Sequence, residues 1–327
     1  MFVAVVGTGS VGMRHLAALR QLAGVAPIAV PQRPARVSHF IANGQMAVRD
    51  LREAVERGAV LGIISTDTGR HVEDGLEALE RGCDLLVEKP LSVNAREADR
   101  LRTRAVQLNR KLFVGCTLRF SESLNTFRSR LQDIGSVHSV RVECQSYLPD
   151  WRPARPYQDS YAARRQEGGV LLDLIHEIDY TTWLFGWPDR VQARLRNLGR
   201  LGIVEEETAD LVWETPTGAV VSMSLDYLTR PSRRSLRASG EHGTIEWDGI
   251  AGTVSVTLAP TAPTLIHSSQ TREDMFQWQA QAFLDACRAH GADSRLAAAQ
   301  DGVRALAVCD AARLASAHRR EEPVDYR

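Results

Sequence analysis

Phe2-Val3-Ala4-Val5-Val6-Gly7-Thr8-Gly9-Ser10-Val11-Gly12 decides the fold. Five apolar residues, three of them valine, predict a short buried strand. G-x-G-x-x-G follows at once, and Met13–Leu22 then shows helical periodicity. Each glycine has a physical task in such a strand–turn–helix. Gly7 permits the tight turn, Gly9 lets backbone approach a pyrophosphate, and Gly12 lets the helix pack close to the sheet. The helix N-terminus then faces the anion. Thr8, Ser10 and Val11 complete the loop. The context predicts dinucleotide binding; the competing reading is a glycine turn that has lost its ligand.

Outward from this stretch, short apolar runs alternate with helical patterns. Ile28–Val30, Val60–Ile64, Leu85–Val87 and Leu112–Val114 read as strands, and Val72–Arg81 and Ala95–Leu108 as helices. Nearly continuous apolar strands separated by helices predict a doubly wound parallel sheet. This first domain is expected to span 1–118. The remainder, 119–327, changes character. Leu124–Leu131 reads as a helix and Val137–Cys144 as a half-buried strand. Tyr147–Gln166, with Pro149, Pro153 and Pro156, reads as a long irregular loop, which in compact domains is often functional. A helix over Val170–Phe185 follows. Six strand-like runs then occupy Val191–Leu198, Ala209–Glu214, Ala219–Leu225, Ser235–Ser239, Thr244–Trp247 and Thr253–Leu258. Short turns between them predict an open, mostly antiparallel sheet. Helices at Met275–His290 and Ala297–Ala315 close the chain, and the tail from Arg319 reads as a surface strand or frayed end.

Composition narrows the function. The 327 residues carry 40 Lys+Arg and 40 Asp+Glu, so no global basic field exists to hold nucleic acid or anionic lipid. No apolar run approaches the roughly 20 residues of a membrane helix, and no leader pattern opens the chain. Five cysteines without C-x-x-C spacing argue against a disulfide framework or a thiolate zinc site, and no metal is expected. These features predict a cytoplasmic protein with no nucleic-acid or membrane partner.

The cofactor side has one gap. A dinucleotide site usually places an acid about 20 residues after the glycines to bond the ribose hydroxyls. Here the first acidic residue is Asp50, and the end of the second strand reads Val30-Pro31-Gln32-Arg33-Pro34-Ala35-Arg36. Arg33 or Arg36 suits a 2′-phosphate, so the cofactor is read as NAD(P), leaning to NADP; both arginines equally fit a solvated loop. Ser65-Thr66-Asp67-Thr68-Gly69-Arg70-His71 follows a strand and is expected to edge the cofactor, with Thr66 and His71 as contacts. His71 also fits a cap of the next helix.

Only two residues in the chain are lysine, Lys89 and Lys111; the other 38 basic residues are arginine. A compact ammonium whose charge burial can tune stands out where arginine is the rule. Glu88-Lys89-Pro90 ends a strand, where a side chain would reach the nicotinamide. Further on, Gly168-Gly169 opens a helix with Asp173, His176 and Asp179. Asp173 and His176 share a face at a spacing of three. A His beside a carboxylate has the parts for acid–base work near neutral pH.

In combination these motifs resemble the glucose–fructose oxidoreductase and inositol dehydrogenase family, often written Gfo/Idh/MocA. The resemblance runs through Gly7–Gly12, Glu88-Lys89-Pro90, Val114-Gly115 with Arg119-Phe120, the Gly168–Asp179 helix, and Phe283-Leu284. It implies a Rossmann domain, an open-faced antiparallel sheet, substrate bound between the two, and homodimers or homotetramers formed through the open sheet. It implies that Lys89 and His176 are catalytic. Asp173 or Asp179 is expected to orient the histidine or hold a substrate hydroxyl. One departure is that many relatives leave four positions between the Asp and the His. Asp-x-x-His-Glu-Ile-Asp-Tyr and Tyr147-Leu148-Pro149-Asp150-Trp151-Arg152-Pro153 are similar to members associated with surface-sugar or nucleotide-sugar biosynthesis.

The expected activity is hydride transfer between nicotinamide and a sugar, polyol or nucleotide-sugar carbon, with a small-molecule substrate. Arg119, Trp151, Arg152, Tyr157 and Tyr161 are expected to line the substrate side, since aromatic faces suit sugar rings and arginine suits carboxylate or phosphate. Two other classes stay open: a non-catalytic NAD(P)-binding sensor, and a lyase or epimerase that uses bound NAD transiently.

Overall fold

β1 (Phe2–Val6) is apolar throughout because it lies inside its sheet, with Val3, Ala4 and Val5 fully buried. The computed structural model describes residues 1–151, 153, 156–288, 291 and 293–327. Parallel pairing joins β1 to β2 (Ala26–Val30) and β3 (Ala59–Ile64), and continues through β4 (Asp84–Glu88) to β5 (Leu112–Gly115). The sheet order is β14-β5-β4-β3-β1-β2, where the two-residue β14 (Ala297–Ala298) pairs antiparallel with β5. Pro27 sits in β2, at the sheet edge, where a missing N–H costs no ladder bond. The doubly wound architecture read from the sequence is present.

The connecting helices are α1 (Ser10–Arg20), α2 (Pro34–Ala42), α3 (Leu51–Glu56), α4 (His71–Glu80) and α5 (Ala95–Gln107). Asp50 and Asn94 cap α3 and α5 by accepting the amides of Glu53 and Glu97. The sequence reading missed α2 and α3. Of α2 only Phe40 is buried, so its apolar stripe is thin; Pro34 at its first position was the available signal.

The domain expectation needs a correction. The first compact unit comprises Met1–Phe120 together with Thr271–Val303, and the second comprises Ser121–Gln270 with Arg304–Arg327. The segment assigned by sequence to the second domain returns to the first as α9 (Arg272–Cys287). Phe276, Ala280, Phe283 and Leu284 of α9 join Leu16 and Leu19 of α1 in one buried cluster. The apolar face of α1 needs a cover, and the chain supplies it from about 260 residues away. Thr271 and Asp274 form a capping box at the start of α9. The expected end of this helix at His290 lies outside the described residues. Lys111 Nζ donates to the Ala286 carbonyl near the C-terminus of α9, a favourable place for a cation.

In the second unit, α6 (Glu122–Arg130) leads into β6 (Val137–Gln145). The loop after β6 holds three single helical turns, at Leu148–Trp151, Tyr157–Asp159 and Tyr161–Ala163. Next come α7 (Val170–Asp173) and α8 (His176–Phe185). Seven strands follow: β7 (Arg190–Arg196), β8 (Thr208–Glu214), β9 (Val220–Asp226), β10 (Arg233–Gly240), β11 (Gly243–Asp248), β12 (Thr253–Leu258) and β13 (Thr264–His267). α10 (Ala299–His318) begins in the first unit and continues into the second, and β15 (Glu322–Pro323) ends the chain's elements. The sheet order is β13-β12-β11-β10-β6-β9-β8-β7-β15. All pairs are antiparallel except β6 with β9. Alternation is clean. Val140, Val142, Leu211, Trp213, Val221, Met223, Leu236 and Trp247 are buried on one face, which α6, α7 and α8 cover. Arg141, Ser222 and Arg237 are exposed on the other. Among the described residues no helix is long and apolar enough to cross a membrane.

Candidate functional site

The glycine loop is closed by backbone on two sides and open on a third. Gly7 has φ +89, and a Cβ there would lie 2.6 Å from the Ser65 carbonyl. A Cβ on Gly12 would lie 2.1 Å from the Gly7 carbonyl, so α1 can approach the turn only with glycine at this position. Ser65 Oγ donates to the carbonyls of Val6 and Gly7 and holds the turn from below. In front of Gly9 a Cβ would meet nothing within 4 Å. Gly9 is the N-cap of α1, whose first turn carries no acid. Open space at a helix N-terminus with no acid in its first turn fits a pyrophosphate. Residues 7–12 therefore suit a dinucleotide.

The end of β2 separates the two arginines. Arg36 Nη1 donates to the Thr8 carbonyl, and its guanidinium lies 5.6 Å over the Phe40 ring. It braces the glycine loop, so the alternative 2′-phosphate role read for Arg36 is not carried forward. Arg33 is the exposed N-cap of α2, a helix with no acid in its first turn. Its guanidinium has no hydrogen-bond or ion-pair partner among the described residues. Asp50, the first acid of the chain, caps α3.

The loop after β3 and the turn after β4 are joined by one histidine. His71 Nδ1 lies 2.8 Å from the Pro90 carbonyl and Nε2 lies 3.1 Å from the Thr66 carbonyl. Burial pushes its imidazole below the ordinary value, while the two carbonyls pull the other way. Both ring nitrogens are committed to protein, so His71 braces the loop rather than offering its ring to a cofactor. Glu88 is buried, with Oε1 2.6 Å from His15 Nε2. Lys89 follows at the end of β4, half-buried, and the Lys89–Pro90 peptide is cis. Arg119, expected on the substrate side, is 2% exposed and ion-paired with Asp301 at 3.0 Å. We assign it to the fold.

In the second unit the expected single helix over Val170–Phe185 is two. Leu174 bonds back to Val170, but Ile175 bonds to Leu172 and Glu177 to Leu174. The ladder tightens from four residues to three and then recovers. A three-residue turn stacks position i over i+3, so the spacing of Asp173 and His176 matches the local geometry. Asp173 Oδ1 accepts Tyr161 Oη at 2.6 Å, and Oδ2 accepts Tyr227 Oη at 3.0 Å. The Tyr227 ring meets Trp151 edge-on at 5.6 Å, and Trp151 Nε1 donates to Ser146 Oγ. The structure thus gathers Tyr161, Asp173 and Trp151 of the expected residues around Tyr227, which sequence reasoning missed. Tyr227 directly follows β9 and carried no local signal. Burial, reinforced by Asp173, holds its phenol well above the usual range. Tyr157 Oη donates instead to the Leu201 carbonyl, and Arg152 lies outside the described residues.

His176 begins α8, and Glu177 beside it is fully buried. Arg234 Nε on β10 donates to Glu177 Oε1 at 2.8 Å. Burial is the largest influence and opposes the Arg234 charge, but Glu177, Cys144 and Tyr180 together outweigh it and hold the guanidinium above its ordinary value. This pair ties the start of α8 to the sheet. Among the described residues no group of three His, Cys, Asp or Glu could hold a metal.

A dinucleotide cradle on a parallel sheet, followed by a large mostly antiparallel sheet unit, defines a class of two-unit oxidoreductases. The family described as "Oxidoreductase family, NAD-binding Rossmann fold" matches residues 1–116, and the GFO/IDH/MocA C-terminal domain matches 129–246. The chain belongs to the GFO/IDH/MocA family. The rhizopine catabolism protein MocA of Rhizobium meliloti is 29% identical over 187 residues, 55% of this chain and 56% of that protein. Inositol 2-dehydrogenase 4 of Saccharopolyspora erythraea is 24% identical over 94% of this chain and 91% of that one. For the first curated relatives the matched region spans little more than half of their length. A levoglucosan dehydrogenase solved with NADH superposes with a TM-score of 0.88 over 99% of both chains at 18% identity, a likeness of fold.

Proposed function

We propose that this chain is an NAD(P)-dependent dehydrogenase or ketoreductase. Its substrate in this reading is a hydroxyl or ketone carbon of a sugar, polyol or nucleotide sugar. The observation that carries the reading is the placement of two motifs in one sheet. The glycine cradle and Lys89 follow the carboxyl ends of parallel strands β1 and β4, with only β3 between them. Ligands of doubly wound sheets bind at such ends.

A bound nicotinamide supplies the hydride acceptor or donor. In the oxidation direction His176 would take the proton of the substrate hydroxyl. The Lys89 ammonium donates a hydrogen bond to the oxygen as negative charge develops there. Asp173, held by two tyrosine hydroxyls, fixes the segment that leads into His176. Trp151 offers a partly exposed aromatic face to the substrate side.

Absorbance at 340 nm tests this with NAD⁺ or NADP⁺ and a panel of myo-inositol, levoglucosan, glucose 6-phosphate and UDP-N-acetylglucosamine, after fluorescence titration with NADH and NADPH. Binding of a reduced cofactor and turnover of a panel member are expected. Binding of neither cofactor would remove the oxidoreductase reading. Bound cofactor that is never net reduced would favour a lyase or epimerase.

Within this reading the cofactor is NADP. No acid stands before Asp50 to select the ribose hydroxyls, and Arg33 points no charge at another residue. A charge-assisted contact contributes about 1.5–3 kcal/mol. Arg33→Ala should therefore weaken NADPH binding about ten- to hundred-fold and leave NADH nearly unchanged. Equal losses for both cofactors would refute the phosphate role.

A further inference from the structure

Two buried histidines hold the Glu88-Lys89-Pro90 turn, one at each end. At the first end, His15 of α1 is fully buried with Nε2 2.6 Å from Glu88 Oε1. An ionised carboxylate only accepts, so the imidazole proton sits on Nε2. Glu88 Oε2 accepts the Lys89 backbone amide at 3.3 Å. Gly115 makes room for this carboxylate, because a Cβ there would lie 2.9 Å from Oε1. At the second end, His71 Nδ1 lies 2.8 Å from the Pro90 carbonyl. Both neighbours of the His71 ring are carbonyl oxygens, and a neutral imidazole donates once. The Pro90 carbonyl is the nearer of the two, so Nδ1 is the nitrogen that meets the turn. A side chain that merely filled space would not place a specific nitrogen on each partner.

We propose that His15 and His71 are positioning residues that clamp this turn and so set where the Lys89 ammonium stands. The elements involved are those of the cofactor cradle. His15 is on the helix that starts at the glycine loop, and His71 follows Thr66 on the loop after β3. The inference rests on the assignment of Lys89 to the reaction, but its test does not use turnover.

The test exploits the lysine count. With two lysines in the chain, reductive methylation with ¹³C-formaldehyde yields two side-chain dimethylamine lines besides that of the amino terminus. Lys111, whose Nζ donates to the Ala286 carbonyl, is the internal control. A glutamine amide nitrogen can replace imidazole Nε2, and an asparagine amide nitrogen can replace Nδ1. His15→Gln and His71→Asn should keep the Lys89 line at its wild-type shift. His15→Asn and His71→Gln should displace it, with the Lys111 line fixed in all four. Equal displacement in all four variants would mean that the histidines only fill volume, and no displacement in any would mean that the turn stands without them; either overturns the proposal. If the mismatched variants do not fold, the matched pair decides alone, since a displaced Lys89 line in either contradicts the clamp. Full turnover in Lys89→Ala would instead remove the catalytic reading and leave the line pattern intact, so the two failures are distinguishable.

Discussion

Lys89→Ala should keep the affinity for NADH or NADPH and lower kcat about 10²–10³-fold, the usual loss when one donor to a developing oxyanion is removed. In the proposed reading the cofactor is held by the glycine cradle on β1 and α1, which Lys89 does not build. An interaction made only as charge develops lowers kcat and kcat/KM together. The same variant should therefore show little change in KM. Lys89→Arg should not restore the rate, because a planar, larger guanidinium cannot stand in for a compact ammonium in a half-buried turn. Lys111→Ala is the matched control: it removes a helix-end contact with the Ala286 carbonyl and should leave turnover near wild type. Steady-state kinetics on whichever panel sugar is turned over, with a cofactor titration beside it, decides the matter. Full activity without the Lys89 side chain would sink the assignment.

Arg234→Ala should destabilise the second unit by about 3 kcal/mol. Its partner Glu177 has no exposed surface, and removing one member of a buried pair leaves an uncompensated charge, which typically costs 3–5 kcal/mol. Arg234 is itself about a quarter exposed, so water partly replaces it and the lower end applies. Exchanging both members, as Glu177→Gln with Arg234→Met, should cost less than Arg234→Ala alone, because no charge is then stranded. Five of the six tryptophans, among them Trp247, lie between residues 121 and 270, so intrinsic fluorescence reports this unit. In a urea titration the midpoint should fall by about 1 M or more, given slopes of roughly 1–3 kcal/mol per M. An unchanged midpoint would show that the ion pair contributes nothing. Since Glu177 adjoins His176, turnover should fall alongside stability.

Much of the candidate site was legible because its chemistry is local. The cradle needs glycine at fixed offsets within six residues, and backbone approach to Gly7 and Gly12 explains each. Lys89 stood out by rarity and by its place at a strand end. His176 with Asp173 was visible as a spacing, although the tightened turn that makes a spacing of three effective was not. Other residues were illegible for a shared reason. Tyr227, Arg234 and His15 act on partners 54, 57 and 73 positions away, and nothing near them in the chain marks those partners. Arg119 was misplaced by the same logic. It was read as lining the substrate side because arginine suits carboxylate or phosphate, whereas the carboxylate it meets is Asp301, 182 positions away.

By itself the sequence determined the class of fold, most strands of both sheets to within a few residues at each end though not β13 or β14, the glycine motif of the cradle and the two principal catalytic candidates. Hydrophobic periodicity and glycine stereochemistry are properties of short segments, and they survive whatever the rest of the chain does. Only the tertiary structure decided that α9 belongs to the first unit, that Arg36 and His71 brace loops, and that Asp173 is held by two tyrosines. These are pairings between distant segments. They are set by which apolar face needs cover and which buried polar atom needs a partner, and both needs arise only once the chain has folded.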